Sequence, residues 1–180
     1  MNAPSMNATK FNPAAETFYV GFGETELGSV LIAKSDKGVA AILLGNDQPH
    51  LRHELTQSFP DVRMVEDAVQ MADMVRQVTA FIDAPQHGLN LPLDMRGSDL
   101  ERAVWQALCA IPCGETRTYG ALARTLTVPA TAQEVGAACV ANVLAVAIPC
   151  HRVVKADGSI SGYRWGVRRK RRLINMEGVA

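Results

Sequence analysis

The stretch TYGALARTLTVPATAQEVGAACVANVLAVAIPCHR, residues 118–152, decides how the second half of the chain is read. Helical patterning over 118–126 and again over 132–143 is interrupted by Thr127-Val128-Pro129-Ala130. Two short helices across a tight turn predict a helix-turn-helix. The second helix is nearly bare on one side, at Gly136, Ala137, Ala138 and Ala141. Such a face suits close packing on another helix, or entry into a narrow groove where bulk would clash. The apolar run that follows ends at Pro149 and turns reactive at Cys150-His151-Arg152. A cysteine among apolar residues is normally inert. Two flanking cations would lower its pKa and populate the thiolate, which is the nucleophilic form. His151 adjoins Cys150 in sequence, so a bridging water is the expected proton path between ring and sulfur.

Upstream, Ser98-Asp99-Leu100-Glu101 has the form of a capping box, and Leu100, Val104, Leu108 and Ile111 follow on one helical face beside Trp105. Pro112 and Gly114 end that helix. The chain changes character at Arg96-Gly97. Before it, TFYVGF, GSVLIAKS and GVAAILLG read as short strands, the last two as a hairpin turning at 35–38. Helical patterns follow at 50–59 and 68–82, then a short extended piece, LNLPLDM. The expected fold class is α/β (α+β). It comprises a leader over 1–15 expected to be disordered, a small N-terminal α/β domain with antiparallel strands over 16–95, and a mainly helical domain over 96–180. His50, His53 and His87 read as surface histidines.

Bulk composition excludes little. The 180 residues carry 18 Lys+Arg and 18 Asp+Glu, so net charge points to no partner. The distribution is more telling: between His151 and Arg172 stand Arg152, Lys155, Arg164, Arg168, Arg169, Lys170, Arg171 and Arg172 against Asp157 alone. Such a cluster reads as an anion or nucleic-acid footprint, or as a solvated helix face. No apolar run is long enough to span a bilayer, and the start lacks a signal-peptide core. Cys109, Cys113, Cys139 and Cys150 form no zinc pattern and are expected as reduced thiols, with no metal bound.

The blocks AVWQALCAIPCGETRTYGALA, PCHRVV and DGSISGYRWGVRRKRRLINMEG resemble, in order and spacing, those of the O6-alkylguanine-DNA alkyltransferases, particularly the C-terminal region of Ada-type members. The resemblance is strong over 96–178 and loose over 16–95, where it implies a ribonuclease-H-like α/β domain. It implies that Cys150 accepts the alkyl group, driven by His151, a water and Glu177, with Asn142 bracing the turn. It implies that Tyr119 donates a proton toward the departing guanine. Tyr163 would wall the pocket together with Arg164, while the carbonyls of Cys150 and Val153 read the guanine amino group. Arg152 would be a structural cation facing the helix of Trp105. Thr118, Gly120, Gly136 and Ala137 would lie at the DNA, with the basic tail on phosphates.

The implied activity is irreversible, single-turnover transfer of a methyl or other alkyl group from O6-alkylguanine, and by extension O4-alkylthymine, after base flipping. It uses no cofactor, acts on double-stranded DNA through the minor groove, and befits a cytoplasmic, nucleoid-associated monomer. One departure stands out. The family's intruding arginine is replaced here by Gln133, with Glu134 beside it, so weaker duplex binding or flipping is expected. The alternatives are a sensor that binds alkylated DNA without repairing it, a sequence-specific regulator, and a cysteine hydrolase.

Overall fold

The computed structural model describes residues 15–178. The expected leader therefore lies, except for Ala15, outside the described residues. Strands β1 (Thr17–Thr25), β2 (Gly28–Ser35) and β3 (Gly38–Gly45) form an antiparallel meander. Helix α1 (Gln48–Ser58) leads to β4 (Arg63–Glu66), which joins β1 in parallel and gives the order β3-β2-β1-β4. Strand β4 has no counterpart in the sequence reading: four residues with partly exposed side chains leave no alternation to detect.

Helix α2 (Ala68–Asp83) packs on β1. Glycine in β1 permits the approach, since a Cβ on Gly21 would lie 2.7 Å from Val75 and 2.8 Å from Met71. A 3-10 turn, Pro85–His87, precedes the piece read as extended, within which Leu93 bridges to Val39. Arg96 then closes the junction by donating to both Asp94 and Glu16. His50, His53 and His87 are exposed.

The second half is mainly helical: α3 (Asp99–Cys109), α4 (Tyr119–Thr125), α5 (Ala132–Ala141) and α6 (Val167–Met176). Strands β5 (Arg117–Thr118) and β6 (Val153–Val154) pair in parallel. The capping box at Ser98 and Glu101 is formed, and a second one joins Thr131 and Glu134. Glu134 is thus committed to the N-terminus of its own helix, where a carboxylate is favoured. Trp105 ties α3 to α5, its indole N–H donating to Ala138 O at 2.9 Å.

The two halves share one apolar cluster, running from Phe18 in β1 to Leu173 in α6. They also share backbone. Every residue of β3 is buried; its outer edge is met at Val39 by residues 92–94 and at Ile42 by the second half, where Ile42 N donates to Val143 O at 2.9 Å and Ala145 N to Ile42 O at 3.0 Å. Residues 143–145 lead directly to Cys150, so the N-terminal sheet holds the segment that delivers the sulfur. Next along it, Val146 adopts φ 66°, a conformation that costs a β-branched residue on the order of 1–3 kcal/mol.

The close approach of α2 to β1 sets a testable limit. Gly21→Ala should destabilise the protein by about 1–3 kcal/mol, measured by denaturant unfolding, because the new methyl overlaps Val75 and the buried Met71.

Candidate active site

Cys150, His151 and Arg152 form one 3-10 turn between Pro149 and β6, and all three are buried. The turn is held from behind by Asn142, the C-cap of α5. Its Nδ2 donates to Ile148 O at 3.1 Å and to Cys150 Sγ at 3.3 Å, while its Oδ1 accepts from Leu144 N at 2.8 Å. A fully buried amide thus binds both sides of the turn and the sulfur itself.

Glu177 caps α6, and its fully buried carboxylate faces the same turn. His151 Nε2 lies 2.8 Å from Oε1; Arg152 donates from Nε to Oε2 at 2.9 Å and from Nη2 to Oε1 at 2.8 Å. Arg152 Nη1 donates to Ile111 O at 2.7 Å, just past the helix of Trp105. Burial raises the pKa of Glu177, but the hydrogen bonds from His151 and Arg152 more than reverse this and leave it at about 2. Burial also lowers the pKa of His151, against the pull of Glu177. The imidazole is therefore neutral. Since Glu177 is a carboxylate, Nε2 carries the proton, and Nδ1 keeps its lone pair. That Nδ1 is buried without a hydrogen-bond partner, a base ready to accept.

These charges correct the reading of Cys150 as a thiolate stabilised by its neighbours. Burial raises its pKa, and the hydrogen bond from Asn142 and the charge of Lys170 only partly oppose this. Arg152 cannot serve, because its guanidinium is engaged by Glu177 and Ile111 O. His151 cannot, because it is uncharged. The resting pair is thiol and neutral imidazole. Burial also raises the other three thiols, that of Cys139 up to about 12. Acidity therefore does not distinguish Cys150; its hydrogen-bond partner and adjacent base do. All four cysteines are free, and no cluster of three or more His, Cys, Asp or Glu suited to a metal occurs among the described residues.

Tyr119 begins α4, whose N-cap is Thr118, with Gly120 next to it half-buried. Its hydroxyl hydrogen-bonds Ser161 Oγ, which also accepts from Lys170 Nζ at 2.8 Å; Lys170 Nζ donates to Val153 O at 2.6 Å as well. Tyr163 packs edge-on against Trp165 at 5.3 Å, its hydroxyl buried and unpartnered. Arg164 turns instead toward α1 and α5. On α5, Gln133 and Ala137 are exposed and Gly136 partly so, with Val140 extending the same face. A Cβ on Gly136 would meet the Tyr119 ring at 3.8 Å, an ordinary contact, so packing alone does not demand glycine there.

Sequence reasoning missed Ser161 and Lys170. Lys170 stands in RRKRR, where composition hides it, yet it is fully buried. Helical spacing carried the signal: Lys170, Leu173, Ile174 and Glu177 share one face. The basic cluster is correspondingly less of a phosphate footprint than its composition suggests. Arg152, Arg164, Arg169, Lys170 and Arg172 all hold partners within the protein, leaving Lys155, Arg168 and Arg171 outside these contacts.

Fold and site together define an α/β protein built around a buried Cys–Asn pair and a His–Glu–Arg cluster. Comparison with known proteins places it more closely. Residues 99–179 match the family described as 6-O-methylguanine DNA methyltransferase, DNA binding domain. The chain is 36% identical over 141 residues to the methylated-DNA–protein-cysteine methyltransferase of Methanosarcina mazei, covering 76% of this chain and 89% of that one. It is 44% identical over 174 residues to the bifunctional transcriptional activator/DNA repair enzyme Ada of Escherichia coli, covering 96% of this chain but 49% of that relative. The chain thus spans about half the length of the Ada-type relatives it matches. Among solved structures, Mycobacterium tuberculosis OGT in complex with DNA aligns with a TM-score of 0.73 at 30% identity, covering 88% of this chain and 92% of that one. The chain belongs to the methylated-DNA–protein-cysteine methyltransferase family.

The buried cluster makes acid a specific stress. Folding holds both His151 and Glu177 below their ordinary values of 6.5 and 4.5, so the unfolded chain binds more protons than the folded one as pH falls. Stability should decline below 6.5 through His151, then more steeply below 4.5 as Glu177 is protonated. Glu177→Gln should cost roughly 3–5 kcal/mol at neutral pH by leaving the Arg152 charge buried and uncompensated, and should shrink the loss below 4.5, to which Asp94 and Glu16, also held low by folding, still contribute. Urea titrations at several pH values measure both.

Proposed function

We propose that this protein reverses alkylation damage by moving an alkyl group, methyl foremost, from O6 of guanine in DNA to Cys150 Sγ, once per molecule. The observation that carries this reading is a buried thiol, gripped by Asn142, beside a neutral imidazole with one nitrogen fixed by Glu177 and the other open to accept. Family membership supports it.

In this mechanism His151 Nδ1 takes the thiol proton through a water, and the resulting imidazolium is stabilised by Glu177. The thiolate attacks the alkyl carbon in line: the S–C bond forms as the C–O bond breaks, and the electron pair leaves with guanine. Tyr119 Oη donates a proton to the guanine ring as charge develops there. The proton gained by His151 balances the one given up by Tyr119. The product thioether has no good leaving group, so the step is final and calls for no cofactor.

The target oxygen lies within the duplex, so the base must be extruded. Helices α4 and α5 act here as a helix-turn-helix that lays the face of Gln133, Gly136 and Ala137 in the minor groove, with Thr118, Tyr119 and Gly120 alongside. Tyr163 walls the pocket. The carbonyls of Cys150 and Val153 read the guanine amino group; each already accepts one hydrogen bond, from Val153 N and Lys170 Nζ, and each keeps a second lone pair. The same proposal takes the protein as a monomer acting on chromosomal DNA in the cytoplasm. It treats residues 16–95 and 96–180 as two domains, the first ribonuclease-H-like, a description supported by the order β3-β2-β1-β4 with β4 parallel.

Incubation with O6-methylguanine duplex should put one methyl on the peptide containing Cys150, read by mass spectrometry, and none on the Cys150→Ala variant. A protein that binds this duplex without gaining the adduct is a sensor, and the transfer reading fails. Gln133→Arg should raise the rate on duplex DNA and steepen the salt slope by about one, leaving the rate on free base unchanged. If Gln133→Arg changes neither rate, residue 133 does not act in flipping.

A further inference from the structure

Arg164 lies in the loop between Ser161 and α6, flanked by Tyr163 and Trp165. Its guanidinium reaches three elements. Nε donates to Glu54 Oε1 at 3.1 Å and Nη2 to Ser58 Oγ at 3.3 Å, both on α1. Nη1 donates to Val140 O at 2.9 Å on α5. That carbonyl is in the last turn of α5, where carbonyls lack intrahelical partners and the helix dipole favours a cation. The same group lies over the Trp165 ring, 5.8 Å from its centre, and Trp165 supports Tyr163. One planar cation thus joins the N-terminal helix α1, the end of α5, and the loop bearing Tyr163.

The ion pair is partly desolvated, with the Arg164 and Glu54 side chains 24% and 18% exposed, so it is stronger than a freely solvated pair. It also stands beside open space. A groove of about 710 Å³ runs between α1 and the loop, lined in part by Glu54, Gln57, Val140, Arg164 and Trp165. Trp165 itself is buried in the core, while along the groove the Arg164 guanidinium makes the polar link from the loop to α1. The guanidinium spans the gap as a strut, and without it the loop has room to swing toward α1.

We propose that Glu54, acting through Arg164, is a positioning residue that sets the width of the alkyl pocket and so the range of alkyl groups Cys150 accepts. The proposal rests on the alkyl-transfer reading. It gives the N-terminal half a part in substrate choice, exerted through Tyr163 and Trp165. Methyl, the smallest group, is indifferent to the position of the wall. A benzyl group needs the space, so release of the strut favours it selectively.

The test compares transfer to Cys150 from O6-methylguanine and O6-benzylguanine in the same duplex. Glu54→Gln and Glu54→Ala should raise the benzyl-to-methyl rate ratio roughly five- to tenfold, mainly through the benzyl rate, while Glu54→Asp stays near wild type. A second readout does not depend on transfer. Both tryptophans are buried, and Trp165 is the one beneath the Arg164 guanidinium, so increased acrylamide quenching in Glu54→Ala that is lost in Glu54→Ala/Trp165→Phe reports loosening at Trp165. Should Glu54→Ala fail to fold, Ser58→Ala carries the same two measurements. An unchanged ratio, or equal change in both rates, overturns the proposal. Raised quenching in Glu54→Ala together with no methyl on Cys150 of the wild type shows a strut with no role in specificity, and then the transfer reading is what has failed.

Discussion

The carboxylate of Glu177 is the point on which the site depends. It arrives at the end of α6, fully buried, and takes hydrogen bonds from His151 and twice from Arg152. Arg152 passes the connection on to Ile111 O beyond α3. One negative charge therefore fixes the last helix, the turn of Cys150 and the end of the first helix of this half. A buried charge is tolerated only when its partners satisfy it, and these do so completely enough to hold the pKa at about 2 despite burial. The same contact settles the tautomer of His151 and leaves its unprotonated nitrogen buried without a partner.

This arrangement differs from a preformed thiolate–imidazolium pair. Burial works against charge on both partners, raising Cys150 and lowering His151. A resting thiol in an apolar site is protected from stray electrophiles and oxidants, since the thiolate is the reactive form. In the proposed single-transfer mechanism, reactivity appears only when a substrate is seated and the proton moves.

The second constraint is backbone. Strand β3 would be a free sheet edge, but residues 143–145 take up the hydrogen-bonding groups of Ile42. The N-terminal sheet thereby anchors the segment leading to Cys150, and Arg164 returns the contact from the loop facing the turn. The shared apolar cluster makes the halves mechanically one body around the turn.

Much of the framework was legible in the sequence by itself, because it depends on local physics. Strands β1 to β3 follow from β-rich runs and turn residues, α2 and α3 from periodicity and caps, and the Cys150 turn from an apolar run that ends in Pro149. The resemblance carried by its blocks named Asn142, His151 and Glu177 in advance. Strands β4 to β6 were not legible, being too short to show a pattern and existing only through distant partners. Nor were the charge states: two cations beside a thiol predict thiolate, but three-dimensional pairing gives Arg152 to Glu177 and leaves His151 neutral. Lys170 looks like any other residue of a basic run until the fold buries it against Ser161 and Val153. The sequence by itself determined which side chains were available and where helices and turns would begin. Only the tertiary structure decided which charges meet and which are desolvated, because both depend on neighbours brought together from distant parts of the chain.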